Sequence, residues 1–347
     1  MTWRLRGART RKRGAHDWPF HRDSEVVRMF GWVFVSAVIS RRTPTTRFTR
    51  VLGESAISGR GLPALSRGNS VHRKGSAMTV PKWIDEHLTE RDILILEDLE
   101  RFRLLSTRQL QRLHFPAKPY GSHVSVSAAT RGTSRVLNRL EELRAVTRLE
   151  RRIGGTKHGS ALAIWQLGPA GERFLRLRSG ISNRRRYGEP GMAFIAHTMA
   201  TRDIATLLIE QARTGRYELI ELATEPDCWR TFNRAGTSVV TLKPDLLVVT
   251  ADADTETHCF VEVDLGTEHI PAVLGKCRVY QQYERTGIEQ EGRGLFPAVV
   301  WIVPTQRRAS SLHDAIATDR ALDPELFWVI TPEQTLAQLA PYGAPTT

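Results

Sequence analysis

Two apolar runs within residues 243–283 each carry acidic side chains, and a helix-like segment follows them at once. Asp245 opens the first run, and Glu262 and Asp264 lie in the second. Side chains alternate between the two faces of a strand, so Glu262 and Asp264 share one face. An acid in a buried strand is costly unless something pairs with it. The pattern therefore predicts two neighbouring strands that bring three carboxylates to one place.

A cluster of oxygens from Asp245, Glu262 and Asp264 suits a hard cation such as Mg²⁺ or Mn²⁺. The alternative is three solvated carboxylates along a sheet edge. Both runs are otherwise apolar enough to be buried strands, which favours the metal site. No nucleotide cofactor is expected, because Gly275-Lys276 lacks both the upstream glycine and the following Ser or Thr of a phosphate-binding loop.

The order Pro-Asp, strand, short gap and strand ending in Glu resembles the PD-(D/E)xK nuclease-like superfamily. Residues 260–268 read Phe-Val-Glu-Val-Asp-Leu-Gly-Thr-Glu. This run is similar to a strand of the bacterial replication-relaxation family of plasmid and integrative-element proteins, and the resemblance covers about 88–330. It implies an α/β protein of two domains, a winged helix-turn-helix followed by an α-β-β-β-α-β restriction-endonuclease-like domain.

The resemblance to nucleases also implies metal-assisted phosphodiester hydrolysis, in which a lysine stabilises the developing charge. This sequence departs from the nuclease pattern because Asp264 stands where the lysine is expected. Lys276 on the following helix is the candidate replacement, and the alternative is that it is a surface residue. Asp245, Glu262, Asp264 and Lys276 are thus the candidate catalytic residues. With the lysine displaced, we expect weak cleavage or none, and the fold then serves as a binding or assembly module.

Charge is distributed unevenly along the chain, whose net charge is +13. Residues 1–77 contain 16 Lys and Arg against 4 Asp and Glu, residues 78–188 contain 21 against 11, and residues 189–347 contain 13 against 22. A basic half attracts phosphates, whereas an acidic half repels DNA unless cations neutralise it. The contrast indicates a DNA-binding domain beside a metal-type site.

The pattern of residues 88–167 is typical of a winged helix. Thr89 and Ser106 are helix N-caps, each followed three residues later by a side chain that completes a capping box. A third helix is predicted over about 128–144, and two β-type runs around a glycine-rich turn predict a hairpin over 146–167. Three helices and a hairpin make the winged helix.

In such a domain the third helix enters the major groove of double-stranded DNA and the wing lies near phosphates. Arginine pairs with guanine and asparagine with adenine. The alternative is a winged helix used only for protein contacts. The expected DNA-binding residues are Arg131, Ser134, Arg135, Asn138 and Arg139 on the helix and Arg151 and Lys157 on the wing.

The acidic half has its own order of elements. A helix is predicted over 193–213, with His197, Arg202 and Asp203 as further candidates for supporting the site, by resemblance to the family, or for a structural role. The elements that follow are strands at 217–222, 245–249 and 259–265, a helix at 271–284, a strand at 297–303, a helix at 310–317 and a strand at 327–330.

These patterns give the expected domain limits. They are a disordered basic N-terminal segment (1–77), the winged helix (78–180), a linker (181–192), the nuclease-like domain (193–335) and a flexible tail (336–347). The apolar run 26–39 is too short to span a bilayer and serves at most as a signal-peptide core. We expect the ordered protein to begin near Met78, with a basic tail or a translated leader upstream.

The cysteines are few and scattered, without CxxC spacing, which favours a reducing cytoplasm and argues against a disulfide or zinc framework. We therefore expect a cytoplasmic protein with no membrane partner. Tyr280 and Tyr283 raise the possibility of a nicking relaxase, but such enzymes need a histidine pair, and His197, His258 and His269 form no such motif.

The resemblance implies a DNA-binding protein of a plasmid or integrative element that acts in replication, relaxation or transfer. Its partners would be double-stranded DNA and the replication or conjugation proteins of the element. The alternatives are a metal-dependent DNA endonuclease and a winged-helix transcriptional regulator.

Overall fold

The structure is a computed structural model that describes residues 10–12, 86–149, 163–180, 190–233 and 238–340. The described chain is a mixed α/β protein with several sheets, so the predicted α/β class is confirmed. Arg151 and Lys157, with most of the predicted wing and linker, lie outside these residues. The predicted domain limits stay predictions.

Four helices and a small antiparallel sheet form the first part of the described chain. The elements are α1 (Glu90–Phe102), β2 (Leu105–Ser106), α2 (Thr107–His114), α3 (Val126–Glu142), β3 (Val146–Arg148), β4 (Ile164–Leu167) and α4 (Pro169–Arg178). The sheet has the order β2-β4-β3, so the strands on either side of the predicted wing pair with each other. The bounds of α3 agree with the predicted helix to within two residues.

Capping boxes start the first two helices, as the sequence predicts. The Thr89 and Asp92 side chains each accept a hydrogen bond from the other residue's backbone N–H at the start of α1. Ser106 and Gln109 do the same for α2. Two of the backbone donors at each helix start are thereby satisfied, which fixes where the helix begins.

A mixed sheet of six strands forms the centre of the second part. The elements of this part are α5 (Met192–Ala212), β5 (Glu218–Thr224), β6 (Arg230–Asn233), β7 (Val239–Leu242), β8 (Leu246–Ala251), β9 (Thr255–Val263), α6 (Ile270–Glu284), α7 (Ile288–Arg293), β10 (Ala298–Ile302), α8 (Gln306–Thr318), β11 (Phe327–Ile330) and α9 (Thr335–Leu339). Five strands of the sheet follow the order β11-β10-β9-β8-β5, in which β9 to β11 run parallel and β8 and β5 are antiparallel to their neighbours. The sixth strand, the short β1 (Thr10–Lys12), pairs with the start of β9.

Alternate residues of β8 and β9 pack into two different hydrophobic cores, as the strand pattern predicts. Leu246 and Val261 belong to a cluster on the α5 side that continues into α1–α4. Leu247 and Phe260 belong to a second cluster beneath α6 and α8. The sheet is therefore covered on both faces, and an acid in β9 has to find a partner inside the protein.

Helix α5 joins the two parts, through contacts that we call the junction. Its buried Arg202 donates through Nε to the Phe102 carbonyl at the end of α1 (3.0 Å). The other polar contacts of the junction are with α2. They are Arg213 to the Arg112 and Leu113 carbonyls (2.6 and 2.5 Å), Arg112 to Glu210 (2.7 Å) and Gln109 to Asp203 (2.8 Å).

Among the described residues, α5 is the one helix long and apolar enough to cross a bilayer by length and composition, and half of its apolar window is buried in the protein. Its charged residues Arg202, Asp203 and Glu210 all take part in the junction contacts. The helix thus has the character of a core helix.

Two segments differ from the prediction. Residues 336–340, predicted as part of a flexible tail, belong to the fold, because Leu339 in α9 is fully buried and the Thr250 hydroxyl donates to its carbonyl (2.6 Å). The β6–β7 hairpin was not predicted, since β6 carries mostly polar residues and gives no clear strand pattern.

Candidate functional site

The outward face of α3 carries the residues expected to read DNA. Arg131, Ser134, Arg135 and Asn138 are exposed. The first three, with Thr130, line a shallow surface concavity. The inward face packs Leu137 and other apolar residues into the core, so the helix cannot rotate to hide this surface.

Two residues of the predicted set already have partners within the protein. Arg139 reaches back to α1, where its guanidinium donates to both oxygens of the buried Asp92 (2.7 and 2.6 Å). Asn138 accepts from Arg148 of β3 (3.2 Å), whose guanidinium also lies over the Trp165 ring (4.7 Å). The structure thus leaves Arg131 and Arg135 as the cations of α3 most open to a ligand.

We expect Arg139→Ala to lower the free energy of unfolding by roughly 1–2 kcal/mol, because the buried Asp92 carboxylate loses its cation. The loss stays below that of a fully buried pair, since Arg139 is partly exposed and Asp92 keeps its capping bonds to Thr89. Urea denaturation measures it. Arg135→Ala is the matched control, and an equal loss in that variant would contradict the structural role of Arg139.

Asp245 and Glu262 meet where β8 begins and β9 ends. The register pairs Leu246 with Val261, so Asp245 immediately precedes the paired part of β8, beside the end of β9. The Asp245 N–H donates to the Val261 carbonyl (3.1 Å), one residue out of the β8–β9 register, so the regular ladder ends at Leu246. The two carboxylates lie close enough for the negative charge of Asp245 to contribute to raising the pKa of Glu262, after the larger effect of burial.

Glu262 is 2% exposed, and both of its oxygens are engaged from α6. Lys276 Nζ contacts Oε2 (2.5 Å), and the Tyr280 hydroxyl donates to Oε1 (2.5 Å). Lys276 was a predicted site residue, whereas Tyr280 was not assigned to this carboxylate. Since Lys276 and Tyr280 are four residues apart on one helix, they share a face, and this spacing is the signal that could have pointed to Tyr280.

Burial raises the pKa of Glu262 to about 8, because desolvation outweighs the lowering by Lys276. For Lys276, burial lowers the pKa, but the attraction of Glu262 and Asp245 is greater, so this pKa lies above its ordinary value. The ammonium is therefore charged at neutral pH, and it is the cation that this carboxylate needs whenever it ionises.

Asp245 contacts the other side of the sheet end. Its Oδ2 accepts from the Val263 N–H (2.7 Å) and lies 3.3 Å from His197 Nε2 of α5. His197 Nε2 is also 3.0 Å from the Val263 carbonyl, a contact in which the imidazole must be the donor. The hydrogen bond to Asp245 raises the pKa of His197. The structure thus brings His197 to the carboxylates from α5, the helix that carries the junction.

Asp264 is held apart from this pair of carboxylates. One of its oxygens accepts from the Gly266 N–H (2.7 Å) and the other from Arg308 Nε at the start of α8 (2.8 Å). Arg308 also donates to the Glu268 carbonyl (2.6 Å). Within the described residues there is no group of three or more His, Cys, Asp or Glu side chains that could hold a metal ion.

A small cavity lies between α5 and Asp245. Residues from α5, the end of β5 and the start of β8 surround it, and they include the buried Arg202. Burial lowers the pKa of Arg202 to about 10, while Glu225 and Asp245 act in the opposite direction. The lining residues are Phe194, His197, Thr198, Thr201, Arg202, Glu225 and Asp245.

A model of the replication-relaxation family matches residues 96–299, which is more than half of the chain and spans both α3 and the carboxylate site. The chain belongs to the replication-relaxation family. The predicted family membership is thereby confirmed, and it supports a role in replication or relaxation of mobile elements. No curated protein and no solved structure matches the chain.

The tyrosines of this replication-relaxation protein are poorly suited to a nicking reaction. Tyr280 and Tyr283 are at most 1% exposed. Burial raises the pKa of both phenols, and each donates to a carboxylate, Tyr280 to Glu262 and Tyr283 to Glu289. A nucleophile has to reach the phosphate and lose its proton, and neither phenol meets these conditions.

The cysteines of this family member are also unreactive. Cys228, Cys259 and Cys277 are buried and free of disulfides, and burial raises the pKa of each thiol to about 12. Thiols of this kind behave as small apolar residues.

Proposed function

We propose that this protein binds double-stranded DNA of a plasmid or integrative element and acts in its replication, relaxation or transfer, together with replication or conjugation proteins of that element. The single observation that carries the proposal is the exposed α3 face with Arg131 and Arg135. Family membership supports the setting in mobile elements.

A winged helix-turn-helix accounts for the first part of the fold. Helices α2 and α3 would form the helix-turn-helix, and β3 and β4 would carry the wing. In this arrangement α3 lies in the major groove, where a guanidinium can bond guanine through two hydrogen bonds. Arg135 would then read bases, and Arg131, Arg151 and Lys157 would lie near bases or phosphates.

Equilibrium binding to duplex DNA of the element tests this proposal. We expect Arg135→Ala to weaken binding to the cognate duplex by roughly 1–3 kcal/mol and to relax sequence preference. The matched control is Arg320→Ala, because Arg320 is an exposed arginine that is distant from α3 in the sequence. Unchanged binding by Arg135→Ala and Arg131→Ala together would contradict the proposed use of α3.

A metal-dependent DNA endonuclease is the second candidate, favoured by the proximity of Asp245 and Glu262 with Lys276 beside Glu262. Two carboxylates fit Mg²⁺ or Mn²⁺, since such ions take their other ligands from water and substrate phosphate. Asp264 would stay paired with Arg308. When bound, the ion would polarise the scissile phosphate and lower the pKa of an attacking water.

The chain's own residues would then orient the two carboxylates and balance their negative charge. Lys276 would hold the Glu262 carboxylate and supply positive charge next to the phosphate. Tyr280 would fix the second oxygen of Glu262. His197 would hold Asp245 from the opposite side. We propose weak cleavage or none as the normal state, because Lys276 stands on α6 rather than on the strand itself.

Supercoiled DNA with Mg²⁺ or Mn²⁺ provides the cleavage assay. If the protein cuts, Glu262→Ala and Asp245→Ala should abolish cleavage while duplex binding stays unchanged, and Lys276→Ala should reduce the rate roughly 10²–10³-fold. Cleavage that survives all three substitutions would place the chemistry elsewhere. Strong cleavage by the unaltered protein, lost in these variants, would overturn the expectation of weak activity.

A further inference from the structure

Arg103 occupies a rare backbone conformation at the end of α1. Its φ and ψ are 65° and −50°, and the Leu104 N–H donates to the Phe102 carbonyl across it (2.8 Å). These features define a γ-turn of the strained type, which a residue other than glycine seldom adopts. Because Phe102 and Leu104 are both buried, the turn forces the Arg103 side chain outward.

The Arg103 guanidinium lies over the ring of Phe194, 5.2 Å from the ring centroid. Phe194 is in the first turn of α5 and is 38% exposed, and its neighbour Met192 is 48% exposed. We call Arg103, Phe194 and Met192 the platform. It is an exposed apolar surface with a cation stacked on it.

The platform lies between the residues that flank segment 150–162 and Asp245. On one side, Leu149 and Ile164, the residues that flank the wing, pack with Leu104 and Ile195, the neighbours of Arg103 and Phe194. On the other side, Phe194 itself lines the cavity that contains Asp245. A nucleic acid bound beside Leu149 and Ile164 would therefore meet the platform before it reached Asp245.

We propose that the platform binds single-stranded DNA, with an unpaired base stacked on the Arg103–Phe194 pair and a phosphate bound by the guanidinium. This inference rests on the proposed function and extends it to a second form of DNA. Aromatic rings and guanidinium planes stack with bases of any sequence, and a base within a duplex has no free face to offer. The positive charge favours a nucleic acid over an apolar protein segment as the occupant.

The test measures binding of the full chain to a fluorescent oligothymidylate of about 20 nucleotides and to a duplex of the same length, with chelator present so that no cleavage interferes. The variants are Phe194→Leu, which removes the ring and keeps the apolar volume, and Arg103→Gly, which removes the cation and relieves the turn. The matched controls are Ile288→Ala and Arg320→Ala, at an exposed apolar residue and an exposed arginine of the acidic half.

We expect Phe194→Leu and Arg103→Gly each to weaken oligothymidylate binding roughly 10-fold, and both controls to bind as the unaltered protein does. Arg103→Gly should also reduce the slope of log affinity against log salt by about 0.7. Its midpoint of thermal unfolding should equal or exceed that of the unaltered protein, because glycine adopts positive φ without strain. A lost fold therefore cannot explain its lost binding.

The outcomes separate this inference from the proposed function. Arg135→Ala should weaken duplex binding and leave oligothymidylate binding unchanged, whereas Phe194→Leu should do the reverse. If the unaltered protein binds duplex but not oligothymidylate, or if Phe194→Leu weakens neither or both equally, the platform proposal is wrong, and the use of α3 is judged separately by the duplex binding of Arg135→Ala. If oligothymidylate binds and duplex does not, the proposed function fails and the platform stands.

Discussion

At about pH 9, Lys276→Met should unfold with a free energy roughly 2–3 kcal/mol below that of the unaltered protein, whereas at about pH 6 the deficit should be only about 1 kcal/mol. Lys276 is the cation beside the buried Glu262 carboxylate. The substitution therefore costs little stability while Glu262 is protonated and much more once Glu262 has to ionise.

The direction follows from the raised pKa of Glu262. Its carboxyl ionises near 4.5 in the unfolded chain and near 8 in the folded protein. Between these values the folded state holds the extra proton, so stability falls as pH rises, by about 1.4 kcal/mol per pH unit. Above pH 8 the unaltered protein ionises Glu262 against Lys276 and the decline stops. Without Lys276 the folded pKa lies higher still, and the decline continues.

Urea denaturation at the two pH values measures this difference. The control is the double variant Lys276→Met with Glu262→Gln, which has no carboxyl to titrate and should lose the extra pH dependence. Equal deficits of Lys276→Met at pH 6 and pH 9 would show that Lys276 does not balance Glu262.

The second large effect is expected at the junction. Arg213→Ala should lower the free energy of unfolding by roughly 3 kcal/mol, because two carbonyls at the end of α2 lose their donor. The last carbonyls of a helix have no partner within the helix, so Arg213 supplies hydrogen bonds that α2 cannot make itself. Burial also lowers the pKa of Arg213, and these hydrogen bonds offset the free-energy cost of desolvating its guanidinium.

Thermal and urea unfolding, followed by two independent probes, measure the junction. One core cluster runs from α1 through α5 to the central sheet, so we expect one cooperative transition that Arg213→Ala shifts as a whole. Arg320→Ala should stay within about 0.5 kcal/mol of the unaltered protein. Two separate transitions in the unaltered protein would contradict the coupling of the two parts.

The sequence predicted those features that depend on neighbours along the chain. The capping pairs at Thr89 and Ser106 start α1 and α2 as expected. The alternation around Glu262 predicted a strand with two buried faces, and the interrupted nuclease pattern pointed to Lys276, which contacts that carboxylate. Local spacing contains this information because helices and strands repeat regularly.

Contacts between distant segments could not be predicted in this way. The pattern placed Arg139 outward on α3, but the start of α1 lies beside it and supplies Asp92. Asp264 was grouped with Glu262 by alternation alone, whereas Arg308, which engages it, comes from a later helix. The strained turn at Arg103 has no sequence signal, because nothing in its residue type indicates positive φ.

Photo-crosslinking from α3 tests the central proposal most directly. In one variant a photoreactive amino acid replaces Ser134, which lies on the exposed face of α3 between Arg131 and Arg135, so the substitution removes no cation. In the control variant the same photoreactive amino acid replaces the exposed Ile288. Each is irradiated with duplex DNA of the element. DNA binding through α3 predicts a salt-sensitive crosslink from position 134 and none from position 288. Absence of the crosslink at 134, or equal crosslinking from both positions, would contradict it.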